Sequence, residues 1–169
     1  NKPLSFEDRS VMREHAQRTL SNVLFQRAVM DSIRTPAEAE IRKVHGQMGY
    51  ALRLQRMLFS DRAEAERVRA DLTRREITWA EAVIRYADVT NALQADRGPR
   101  WFSRMELPPR SARVLFDLET GAFSPVLGED LGYAVYQVVE RRDARPPAWG
   151  AIRGAIGQEL RGLEADEYR

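Results

Sequence analysis

Near residue 51 the hydrophobic pattern changes period. Upstream, Leu20 with Leu24 and then Phe25, Val29 and Ile33 recur at the spacing of a helix with a wide apolar face. From Ala51 to Phe59, Leu52, Leu54 and Leu58 alternate instead with Arg53, Gln55 and Met57, the period of a half-buried strand. A second strand is expected over Gly132-Tyr133-Ala134-Val135-Tyr136-Gln137-Val138-Val139, rich in aromatic and branched residues, and a short one over Ser124 to Leu127. Two long stretches of helical spacing thus lie outside a small sheet.

Capping residues divide the rest. Ser5-Phe6-Glu7-Asp8 opens a first helix that stops near Arg34. Thr35-Pro36-Ala37-Glu38 combines an N-cap, a proline in the first turn and a capping acid, and starts a short helix with Ile41, Val44 and Met48 inward. His45, near its end, reads as a capping cation. Ser60 caps a helix from Asp61 to about Arg74, and Thr78-Trp79-Ala80-Glu81 is a capping box for another through Tyr86. Residues 88–99 read as a polar loop. Pro108-Pro109 precedes a short helix carrying Ala112, Leu115 and Phe116. After the stiff Arg145-Pro146-Pro147, a last helix carries Trp149, Ile152, Ile156, Leu160 and Leu163 on one stripe. This order implies an α+β fold.

Composition excludes several function classes. With no cysteine among 169 residues there is no disulfide, thiolate metal site or cysteine nucleophile, and two histidines cannot build a multi-histidine metal centre. No metal and no cofactor is expected. The absence of cysteine fits an oxidising, extracytoplasmic compartment, where a stray thiol is a liability, although cysteine-free cytosolic domains of this size are also common. A net charge of +2 is too small to argue for nucleic acid, and Arg97, Arg100 and Arg104 read as a solvated loop edge. The serines lack a nucleophile elbow, and the paired acids Glu38/Glu40 and Glu64/Glu66 lie on solvated helix faces. No stretch is apolar enough to span a membrane. Because the sequence starts at Asn1 rather than Met, any export signal or membrane anchor is expected upstream of it.

Five stretches, in order, resemble the parvulin (rotamase) family of peptidyl-prolyl cis-trans isomerases. They are Gln55-Arg56-Met57-Leu58, Ile77 to Ala87, Gly98-Pro99-Arg100-Trp101-Phe102, Val114 to Val126 and Gly132-Tyr133-Ala134-Val135-Tyr136-Gln137-Val138. The resemblance implies a small antiparallel-type sheet wrapped by helices over residues 51–142. The helices of residues 1–50 and the linker and helix of 143–169 are similar to the flanks of exported foldases and chaperones of this class. They are expected to form a helical module, with the last helix packing on Leu20, Leu24 and Phe25 within the chain or across a homodimer.

By the same resemblance, the pocket positions are Arg56 and Ala134, where the family carries two histidines, with Asp88 or Val89 at the Cys/Asp position. Leu107, Trp101, Phe102 and Ser111 fall on the proline-gripping wall, Ser111 where the family has a phenylalanine. Arg56 is a permanent cation and cannot stand in for a neutral imidazole; Asp88 is its expected acceptor. An intact scaffold with an altered pocket implies a foldase or chaperone that binds unfolded or extended proline-containing polypeptide, with weak or no isomerase activity. The alternatives are an active isomerase and a structural subunit of a larger assembly.

Overall fold

The structure, a computed structural model, describes residues 17–21, 33–86 and 98–167. Residues 17–21 are helical. Four strands form an antiparallel sheet in the order β2-β1-β4-β3: β1 Tyr50–Phe59, β2 Arg100–Phe102, β3 Leu127–Glu129 and β4 Gly132–Asp143. The two longer expected strands are therefore neighbours, paired from Tyr50↔Asp143 to Phe59↔Tyr133. A register shift between Arg53 and Leu54 leaves Val139 without an opposite residue. β2 arises where a loop resemblance ended, and β3 starts at the residue where the short strand was expected to stop. In its place Ser124, fully buried, exchanges bonds with Tyr136: its N–H donates to the Tyr136 carbonyl and its hydroxyl accepts from the Tyr136 N–H.

The pleat sorts the core into two layers. Leu52, Leu54 and Leu58 of β1 and Ala134, Tyr136 and Val138 of β4 face helix α4 (Pro109–Leu115), where Ala112, Leu115 and Phe116 are buried. Met57, Phe59 and Val135 face α2 (Arg62–Arg74) and α3 (Trp79–Tyr86), through Ala65, Val68, Leu72 and Ala82. Each fully buried large apolar side chain contributes about 1.5–3 kcal/mol. Capping refines the boundaries. Asp61, not Ser60, caps α2 by accepting from the Glu64 N–H at 3.0 Å. The Thr78 hydroxyl and Glu81 carboxylate satisfy each other's backbone N–H at the start of α3.

The flanking helices α1 (Glu38–Gln47) and α5 (Trp149–Glu167) pack on each other: Ile41, Val44 and Met48 meet Ile156, with Trp149, Ile152 and Leu160 around them. Among the described residues, α1, which closes the N-terminal segment, is the partner of the last helix. Leu20 is 60% exposed, and Leu24 and Phe25 lie outside the described residues. Thr35 is not the cap of α1: Ala37 holds that position, and its N–H is taken by the Glu40 carboxylate at 2.7 Å. His45, in the last turn of α1, instead ties it to the linker before α5: its Nε2 donates to the Pro147 carbonyl at 2.8 Å and its ring meets Trp149 edge-on.

A buried arginine joins this helix pair to the rest of the fold. Arg104, in the 3-10 turn Arg104–Glu106, is expected from sequence at a solvated edge but is only 2% exposed. Its Nε donates to Gln47 at 3.0 Å on α1, and its Nη2 lies 2.7 Å from Glu159 on α5. The Arg104–Glu159 contact is an ion pair with poor hydrogen-bond alignment, leaving Glu159 Oε1 without a hydrogen bond. Gln47 in turn donates to Asp117, which also takes Lys43 at 2.7 Å.

Candidate active site

β1 lifts Arg56 onto the α4 face of the sheet, between Leu54 and Leu58. The residue opposite it on β4 is Tyr136. The two-residue turn Asp130-Leu131 then folds β3 back on β4 and brings Glu129 to the same place. That turn depends on Gly132, at φ 136°, because a Cβ there would come within 2.3 Å of the Phe59 carbonyl oxygen.

Around these residues lies a cleft of about 1540 Å³. Leu54, Phe102 and Leu107 give it an apolar floor, with Ser111 of α4 beside them. Ile84 of α3 and Leu131 of the β-turn stand at its mouth, 81% and 77% exposed. Large apolar side chains at a cleft mouth mark a surface that gains by covering an apolar ligand.

The polar centre is a shared carboxylate. Arg56 Nη1 donates to Glu129 Oε2 at 2.7 Å, and the Tyr136 hydroxyl donates to Glu129 Oε1. The side chains of Arg56 and Glu129 are 32% and 17% exposed, so the pair is partly screened from water. Burial, with the hydrogen bond to Glu129 and its negative charge behind it, holds the Tyr136 phenol well above its ordinary range. The cluster can hold a fixed cation and a neutral phenol against one wall of an apolar cleft.

The residues expected at the site divide. Arg56, Phe102, Leu107 and Ser111 line the cleft together. Trp101 does not. It pairs with Arg53 and points to the opposite side of the sheet from Phe102, where the Arg142 guanidinium lies 4.2 Å from its ring centre; successive strand residues cannot share a face. Ala134 shares the Arg56 face but is fully buried, paired with Leu58 and Leu127, so it faces neither Arg56 directly nor the cleft. Asp88 and Val89 lie outside the described residues; among the described residues Glu129 is a carboxylate bound to Arg56. Neither Glu129 nor Tyr136 was picked out from sequence. The usable signal was the short acidic turn Gly128-Glu129-Asp130 before a strand that places Tyr136 two residues beyond Ala134. Among the described residues no group of three His, Cys, Asp or Glu is placed to hold a metal ion.

Residues 38–154 match the family model of the PPIC-type PPIASE domain. The chain belongs to this peptidyl-prolyl isomerase family. No curated protein matches the sequence. Among solved structures, the PPIC-type chain is similar to the peptidylprolyl isomerase PrsA of Bacillus cereus, with 16% identity and a TM-score of 0.51, covering 84% of this chain and 52% of the other. It is similarly related to PrsA of Bacillus anthracis, with 16% identity, a TM-score of 0.50 and coverage of 83% and 60%. The chain thus spans between about half and three-fifths of the length of these structures. At such identity the likeness carries the α+β fold of the PPIC-type domain. Among the described residues no helix is long and apolar enough to cross a membrane.

Proposed function

We propose that this PPIC-type protein is an exported foldase-type chaperone whose cleft binds extended, proline-containing polypeptide, with weak or no prolyl isomerase turnover. The observation that carries the reading is the Arg56–Glu129–Tyr136 cluster standing over an apolar floor of Leu54, Phe102 and Leu107. Rotation about a prolyl bond faces a barrier of about 18–20 kcal/mol. A catalyst must bind the twisted amide better than either planar form. The floor suits a proline ring in both planar and twisted states, which is uniform binding and does not lower the barrier. The polar wall is committed to internal partners: Glu129 is shared between the guanidinium and the phenol. A wall fixed in this way favours holding over turnover. Export is compatible with a chain that carries no thiol to be oxidised.

The test pairs two measurements on the same protein: cis–trans exchange of a proline peptide by NMR, and suppression of aggregation of a thermally unfolded model client. The expected outcome is exchange near the uncatalysed rate together with suppressed aggregation. Peptide affinity measured by fluorescence anisotropy should fall about tenfold in Phe102→Ala, which is about 1.4 kcal/mol. Robust exchange catalysed by the unmodified protein would overturn the holding role, and failure to bind peptide or protect the client would remove the chaperone reading.

A further inference from the structure

The cleft has a wall that the family domain does not supply. Glu159, Gly162, Leu163 and Asp166 of α5 all line it, at the spacing of one helix face. All four lie beyond residue 154, where the match to the PPIC-type domain stops. The wall is latched at four points. Leu163 is only 7% exposed. Arg104 and Arg113 lie 2.7 and 3.0 Å from Glu159 and Glu167 respectively. Arg110 of α4, itself a lining residue, stands 3.7 Å from Asp166. At the centre of this face is a glycine, and a Cβ built on Gly162 meets nothing within 4 Å. The helix backbone itself therefore borders open cleft at that point. Gly150 and Gly154 on the same helix have equally open surroundings, and Gly162 differs from them in lining the cleft.

We infer that the C-terminal half of α5 is a wall of the polypeptide groove, and that the gap at Gly162 admits the segment of extended chain flanking the proline. The inference rests on the peptide-binding reading above. It makes the last helix a specificity element: the floor of the family domain takes the proline ring, while the flank decides how long and how bulky the neighbouring segment can be. Substrates whose flanking side chain on the α5 side is small fit, and bulky ones are excluded.

The absence of cysteine from the chain provides a clean probe. Gly162→Cys introduces a single thiol on the proposed wall, in the whole 169-residue chain, with helix propensity improved over glycine. Its alkylation rate by a maleimide is measured alone and with two saturating peptides, one of three residues centred on proline and one of nine. Anisotropy of the labelled peptides establishes that each is bound. The long peptide is expected to slow alkylation at least tenfold, and the short one to change it less than twofold. A second variant, Gly162→Trp, should weaken the long peptide about tenfold and leave the short one unchanged, with circular dichroism and the melting midpoint as controls on folding. Long peptide bound with the thiol unprotected, and bound equally by Gly162→Trp, overturns the wall while leaving peptide binding intact. Failure of the unmodified chain to bind either peptide overturns the binding reading, and the peptide wall with it.

Discussion

Arg56 and Tyr136 stand directly opposite one another on adjacent antiparallel strands and share the two oxygens of one carboxylate, Glu129. Strand pairing fixes the first relationship and the turn at Gly132 the second, so the cluster is a product of the sheet rather than of a flexible loop. Its position beside Leu54, on the cleft side, makes it the polar element a bound polypeptide would meet.

Reinstating histidines at the two positions where the family resemblance places them should have unequal costs. Ala134 is fully buried against Leu58 and Leu127, so Ala134→His overpacks the core and should cost about 3 kcal/mol. Arg56 opens onto the cleft, and Arg56→His should cost about 1 kcal/mol, chiefly by leaving Glu129 with one partner fewer. Urea denaturation of the two single variants measures the difference. Equal costs would mean that position 134 has room the structure does not show.

Breaking the buried tie at Arg104 should be severe. Arg104→Ala removes a guanidinium that is 2% exposed and strands Glu159 and Gln47, with an expected loss of about 3–5 kcal/mol. Pairing Arg104→Met with Glu159→Leu removes both charges together and should recover most of that loss. Thermal melts of the single and double variants test this; a double variant no better than the single one would show that the ion pair itself is not what is lost.

Alkaline pH should weaken the fold through Tyr136. Its phenol is held above its ordinary range, so the folded state binds the proton more tightly than the unfolded one. The contribution is therefore complete below the unfolded value of about 10 and is lost as pH rises from there toward the folded value. Unfolding free energy measured between pH 8 and 11 should fall more steeply for the unmodified chain than for Tyr136→Phe. Parallel slopes would remove Tyr136 from the account.

Truncation after Arg145 deletes α5 and uncovers Ile41, Val44 and Met48, each 8% exposed or less in the intact chain. Burial of such side chains is worth about 1.5–3 kcal/mol apiece. The truncated chain should lose more helix than α5 alone contributes, and lose solubility. Circular dichroism and sedimentation decide this; an unchanged remainder would mean that α1 is held by the sheet domain alone.

Much of this protein could be read from its residues in order. The alternation from Leu52 to Leu58, the Thr78–Glu81 box and the apolar stripe from Trp149 to Leu163 each specify a local conformation, because period, capping and turn chemistry act over a few residues. What those elements touch was decided elsewhere. The stripe on α5 called for an apolar partner without naming one, since burial is non-directional, and among the described residues that partner is Ile41, Val44 and Met48. Trp101 and Phe102 both looked available to the cleft until a three-residue strand, too short to show a period, put them on opposite faces. Glu129 reaches Arg56 across 73 residues, and Glu159 reaches Arg104 from a different flank of the fold. Such pairings depend on strand register and helix packing, which are set only when the whole chain closes, and no local pattern carries them.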